Sequence, residues 1–203
     1  MKLRSSRWTI ACFLIGGWVL VNACGNTSST TNNGNNTTTD VKSFFPKDSE
    51  ITGWVEDKSR LHFDGVTPST AGAPDVANDL VTAKAYIDGS ADKFEGAGGW
   101  VKMVTEYYKK NDFKITLSIH EMTTADSITP VWAKFVTEGT AVTLNAGEQG
   151  AVKRSYLKLW VELDARKGKY FFMVLIESAT GALPDTAATE LEAFTAAVMK
   201  KIT

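Results

Sequence analysis

The sequence predicts an α+β fold: an antiparallel β-sheet built from hairpins with helices packed on it, in a single domain behind a disordered tether. Three observations predict it. Two stretches, 100–121 and 156–177, place apolar residues at every second position and each divides at a short polar loop, as paired strands do. Other stretches, at 79–87 and near the C-terminus, space apolar residues three and four apart, as helices do. The chain has 203 residues, 43% of them hydrophobic, which is enough for one core of real size.

Residues 1–23 have the form of an export signal. Lys2, Arg4 and Arg7 precede an apolar run at 8–21, the length of a signal core and too short to cross a bilayer comfortably. The run closes in Leu20-Val21-Asn22-Ala23-Cys24-Gly25. This resembles the signal of bacterial lipoproteins: an aliphatic residue, a small one, then cysteine. The resemblance implies cleavage before Cys24, a diacylglycerol on the Cys24 sulfur and acylation of the new amino terminus. Two or three acyl chains anchor stably where one does not. Gly25 after the cysteine, in place of Asp, implies the outer membrane, on its periplasmic or surface face, over the inner membrane.

Residues 24–40 follow as a lipidated cysteine and an Asn/Thr/Ser tether. The stretch 26–40 has no apolar side chain, so it is expected to be disordered. The globular domain is expected over 41–203. Removal of the signal leaves 19 basic against 23 acidic side chains, a net charge of -4. That balance argues against nucleic acid as a partner. Cys12 leaves with the signal and Cys24 is acylated, so the domain has no disulfide and depends on packing.

Within the domain, a helix is expected at 79–87, stopped by Asp88-Gly89. The first hairpin pairs 100–108 with 113–121. A three-residue loop at Lys109-Lys110-Asn111, with Asn111 left-handed, sets Met103 against Leu117 and Val101 against Ile119. The same register sets Glu106 against Lys114 and Trp100 against His120 on a polar face. Residues 124–135 are ambiguous, since Pro130 suits either a helix's opening or a strand. Val142 to Leu144 read as a short strand before turns at Gly147 and Gly150. The second hairpin aligns Leu157, Leu159, Val161 and Leu163 on one face, and Tyr156, Lys158, Trp160 and Glu162 on the other. It turns at Ala165-Arg166-Lys167-Gly168 and returns over 170–177. The return strand holds six consecutive apolar residues, so it is expected to be central and covered on both sides. A last helix is capped by Asp185 or Thr186 and carries Leu191, Phe194, Val198 and Ile202 as its apolar stripe.

No catalytic constellation stands out. His120, beside Glu121, has the chemistry of a general base, but a lone histidine on a strand face is more often a polar residue stacked on an aromatic. His62 carries no stronger signal. Two Ser-x-x-Lys matches, Ser90/Lys93 and Ser155/Lys158, lack the companion motifs of serine acyltransferases. Glu95-Gly96-Ala97-Gly98-Gly99 precedes a strand where a phosphate loop would precede a helix. Two histidines and no calcium-type loop give no expected metal site, and no cofactor is expected. Trp100, His120, Tyr156 and Trp160 form a possible binding surface, since aromatic faces stack on flat ligands or partners.

Gly53-Trp54, Ala85-Tyr86-Ile87-Asp88-Gly89-Ser90-Ala91, Phe94 and Gly99-Trp100 together resemble a family of exported bacterial proteins of unknown function. The resemblance implies an exported α+β domain and no particular activity. The expected function is therefore that of a membrane-anchored envelope lipoprotein whose domain binds a protein partner or small ligand. The alternative is a tethered hydrolase-like enzyme using His120, Glu121 or Glu106.

Overall fold

The computed structural model describes residues 40–59, 75–144, 149–154 and 158–203. Cys24, His62, Gly147, Ser155 and Tyr156 lie outside the described residues. Eight strands form one antiparallel sheet: β1 Val55–Glu56, β2 Asp75–Ala77, β3 Trp100–Lys110, β4 Phe113–Met122, β5 Thr140–Thr143, β6 Gln149–Arg154, β7 Trp160–Lys167 and β8 Tyr170–Ser178. Their order is β1-β3-β4-β8-β7-β6-β5, with β2 also on β3. Three helices pack on it, α1 Leu80–Ile87, α2 Ile128–Val136 and α3 Ala187–Met199. The fold is the expected α+β arrangement.

Strand β8 organises the molecule. Its side chains alternate in direction, and both sets are apolar. Phe172, Val174 and Ile176 point one way and join Ile115, Leu117 and Ile119 of β4 and Val161 and Leu163 of β7. Over them lie Leu191, Phe194 and Val198 of α3, together with Val41, Phe44, Phe45 and Trp54 of the 40–59 segment. Phe171 and Met173 point the other way and meet Phe94 and the α2 residues Val131, Trp132 and Phe135. Both faces of the sheet are thus covered, and β8 is central, between β4 and β7.

The first hairpin forms in a different register from the expected one. Lys110 pairs with Phe113 across a two-residue loop, Asn111-Asp112, with Asn111 left-handed at φ 54. Glu106 therefore lies opposite Leu117, Lys109 opposite Lys114, Met103 opposite His120 and Trp100 opposite Met122. A tight loop fixes the pairing, and the assumed contrast between a buried and a solvated face is missing. Val104 and Tyr108 are buried on the α3 side, while Met103 and Tyr107 are buried on the other. On that second side the polar pair Thr105 Oγ1 and Ser118 Oγ satisfy each other at 2.8 Å. A bulge between Trp100 and Lys102 ends the alternation, and Val101 is left 40% exposed.

The second hairpin is also shifted. Strand β7 begins at Trp160, because Lys158 is left-handed (φ 53) and breaks the alternation assumed for 156–163. Lys167 pairs with Tyr170, so the turn is Gly168-Lys169, opened by Gly168 at φ 54. Gly150 sits inside β6, a strand not expected from the sequence, and not in a turn. There its missing side chain leaves room for Val142 across the ladder. Helix α1 ends at Ile87, where the sequence sets its stop, and the chain runs on through Asp88-Gly89 as a 3₁₀ turn, Asp88–Lys93, in place of a left-handed glycine.

The helices follow their local signals. Asp79 opens α1, accepting from Thr82 N–H at 2.8 Å and Thr82 Oγ1–H at 2.9 Å. The ambiguous stretch is helix α2, with Pro130 in its first turn, where the missing N–H costs nothing. In α3, Leu191, Phe194 and Val198 are fully buried. Asp185 does not cap it; its carboxylate accepts from Lys158 Nζ at 2.7 Å. Phe194 is the keystone, with Trp54 and Tyr108 edge-on to its ring at 5.6 and 5.2 Å. Phe194→Ala is expected to lower unfolding free energy by about 3–5 kcal/mol, read by urea titration, whereas Val81→Ala on the exposed side of α1 should change it little.

Candidate functional site

His120 lies on β4 with no solvent exposure. Its ring stacks on Phe94 at 4.2 Å and 12° and meets Phe171 edge-on at 6.1 Å. Trp100 Nε1–H donates to its Nδ1 at 3.1 Å. An indole only donates, so Nδ1 is the bare acceptor and the ring proton resides on Nε2, which has no hydrogen-bond partner among the described residues. Burial pushes its pKa down to about 3. His120 is a neutral core side chain, and the solvated polar strand face expected for it is covered by the 88–94 segment and α2.

The other aromatic candidates do not assemble around it. Trp100 is half-buried against His120. Trp160 is 37% exposed and pairs with Glu177, at the end of β8 far from Phe171. Trp100 and Trp160 therefore stand at opposite ends of the sheet. The Ser90/Lys93 match lies on the 3₁₀ turn, with Lys93 engaged by Glu138 and over the Phe135 ring. The glycine loop 95–99 does lead into a strand; Gly99, at φ +75, is packed where a side chain would strike Thr123 and Ser127.

Glu121 and Glu106 also part company. Glu121 is held by Lys169 at 2.6 Å and Lys102 at 3.4 Å. It lies four residues beyond Leu117, the partner of Glu106, or about 14 Å along the strand. Glu106 points to the α3 side and His120 to the opposite one. The three residues of the enzymatic alternative do not form one site.

Glu106 instead floors a cleft of its own, about 470 Å³ in volume. Tyr108 lies beside it, Phe45 and Pro46 form an apolar wall, and Lys42, Lys47 and Lys58 stand around the mouth with Asp48 and Glu56. Tyr108 Oη–H donates to the Pro46 carbonyl at 3.1 Å, which fixes the wall. Glu106 is only 5% exposed, and its Oε1 accepts from Tyr107 N–H at 3.0 Å. Burial lifts the carboxyl to about 7; the Tyr107 N–H opposes this, and the Glu56 and Asp75 carboxylates reinforce it. A buried carboxyl poised between protonation states at the floor of an open cleft is a functional-site signature. The sequence did contain a sign of it: Glu106 is a lone carboxyl whose same-face strand neighbours, Val104 and Tyr108, are apolar. The lysines come from the 40–59 segment, and strand patterning does not reveal that this segment folds over β3.

A smaller cavity, about 240 Å³, lies on the other face between α1 and the sheet. Ile87 and Met173 line it together with Ser90, Thr116 and Ser118.

No protein-family profile matches the sequence, and no curated protein matches it. Among solved structures, the chain is similar to the extracellular domain of PknH from Mycobacterium tuberculosis, at 13% identity and a TM-score of 0.37, over 64% of this chain and 82% of that one. It is also similar to an uncharacterised protein from Mycobacterium smegmatis, at 11% identity and a TM-score of 0.28, over 55% and 73% of the two chains. At these scores the shared geometry is partial, and neither likeness bears on what this chain does.

The two perturbed groups have opposite pH signatures. Burial pushes the folded His120 down to about 3 from about 6.5, so acidification from 6.5 toward 3 protonates only the unfolded chain and lowers stability. Glu106 titrates at about 7 folded against 4.5 unfolded, so its protonated form stabilises the fold below 4.5, and this is lost as pH rises to about 7. Between pH 4.5 and 6.5 the two nearly cancel. Glu106→Gln is expected to unmask stability that falls with acidification across that window. His120→Gln, which keeps an acceptor for Trp100, should unmask stability that rises with acidification. Urea unfolding at half-unit pH steps reads both slopes.

Proposed function

We propose that this chain is a lipid-anchored protein of the bacterial envelope whose domain binds a ligand or partner at the Glu106 cleft. The observation that carries this reading is the cleft itself: an open cavity of about 470 Å³ with one buried carboxyl at its floor and three lysines around its mouth. Binding is favoured over catalysis by the separation of the polar groups. His120 is sealed on the opposite face, and Glu121 is neutralised by Lys102 and Lys169. The anchor rests on the sequence at 20–25 and the tether after it. Among the described residues, no helix is long and apolar enough to cross a membrane. Acylated Cys24 supplies attachment in this reading, and the outer membrane is the proposed location.

Fractionation and affinity recovery test it together. The full-length tagged chain is expected in the membrane fraction and its Cys24→Ser version in the soluble exported fraction. Gentle solubilisation and pull-down of the wild type should recover a species that is kept by Glu121→Ala and lost on Glu106→Arg, whose side chain fills the cleft. Wild type and Cys24→Ser found together in the soluble fraction would remove the anchor. A co-purified species indifferent to Glu106→Arg would remove the cleft.

A further inference from the structure

We propose that the Glu106 cleft takes the phosphodiester monoanion of an anionic lipid headgroup, and that Glu106 must carry a proton for it to bind. The proposal rests on the binding reading above and adds the ligand's chemistry.

Charge is the first argument. Lys42, Lys47 and Lys58 line the cleft together with Asp48 and Glu56. The two carboxylates are already engaged: Asp48 Oδ1 accepts from Glu56 N–H at 2.8 Å, and Glu56 stands 3.9 Å from Lys58 Nζ. With Glu106 neutral the cleft has one net positive charge, which suits a monoanion. With Glu106 ionised the cleft is balanced, and a carboxylate faces the ligand. The remaining charges around Glu106 do not alter this count: Asp75 acts from the far face of the sheet, and Glu50 is engaged by Lys201.

Hydrogen bonding is the second argument. Tyr107 N–H occupies Oε1 of Glu106, so the carboxyl's proton belongs on Oε2, as a donor at the cleft floor. Tyr108 offers no competing donor, since its hydroxyl hydrogen goes to the Pro46 carbonyl. Phe45, Pro46 and the Tyr108 ring give the carbon skeleton of a headgroup an apolar wall.

Sequence position is the third. Lys42 and Phe45 are among the first described residues, where Val41–Phe44 form a 3₁₀ turn. Only residues 25–41 separate Lys42 from Cys24, the acyl-bearing residue of the proposed anchor. The anchor of that reading thus lies close in sequence to the cleft's lysines.

The test uses residues 24–203, the chain left by the proposed cleavage, with Cys24→Ser, so that neither the signal nor a lipid partitions into the vesicles. The probes are glycerophosphoglycerol and vesicles of phosphatidylglycerol, with phosphatidylcholine vesicles as the zwitterionic control, between pH 6 and 8.5. A phosphodiester does not titrate in that range, and the lysines stay charged. Burial holds Glu106 at about 7, so affinity is expected to fall with a slope approaching tenfold per pH unit above that. Glu106→Gln should bind at pH 8.5 as it does at pH 6. The triple change Lys42→Ala, Lys47→Ala, Lys58→Ala, confined to exposed side chains, should lose tenfold or more at every pH. Glycerophosphoglycerol that displaces the protein from phosphatidylglycerol vesicles supports the headgroup as source. Binding of the soluble diester with no vesicle binding overturns that source. Affinity that rises with pH, equal binding to both vesicle types, or no binding of either probe at pH 6 overturns the proposal. If the pull-down species still depends on the cleft while these probes fail, the ligand class is wrong and the binding site stands.

Discussion

Every other feature follows from the need to cover both faces of β8. A strand with Phe171 and Met173 on one side and Phe172, Val174 and Ile176 on the other is stable only between two apolar layers. The layer from α3 is completed by Val41, Phe44, Phe45 and Trp54, so the 40–59 segment becomes part of the core. That in turn folds the 40–59 segment over β3 and creates a cleft above Glu106. The opposite layer, from α2 and the 88–94 segment, closes over His120. The same demand for burial thus opens a polar site on one face and seals off a histidine on the other.

Much of this was legible in the sequence, for a physical reason. Periodicity reports burial, so the central strand, both hairpins, α1 and α3 could be read from spacing alone. Register could not. Alternation fixes pairing only when one face is wet, and β3 is buried on both faces at Met103, Val104, Tyr107 and Tyr108. The loop Asn111-Asp112 decided the matter, moving Glu106 from a lysine partner to Leu117. Strand β6 escaped notice because Gly150 read as a turn, when its small size serves close contact with Val142.

The candidate site was half legible. The expected register set Glu106 on a polar face against Lys114, although its same-face neighbours Val104 and Tyr108 are apolar. The cleft depends on Lys42, Lys47 and Lys58, which are far from Glu106 in sequence and meet it only through the packing of Phe45 and Trp54. His120 illustrates the converse. Its residue type invites a catalytic role, but polarity along a strand does not reveal whether a helix lies above it.

The contact between the 40–59 segment and the end of α3 has a mechanical side. Lys201, just past α3, donates to the Phe45 carbonyl at 3.1 Å and pairs with Glu50. Val41, Phe44 and Phe45 are buried beside α3 in the same core. A pull on the chain ahead of Asp40 therefore meets embedded aromatic rings and a cross-link to the far terminus before it reaches any strand ladder. Such an attachment resists load by shearing a packed layer all at once, not by peeling hydrogen bonds one at a time. A domain held to a moving surface by its leading end would thus keep its sheet intact under tension.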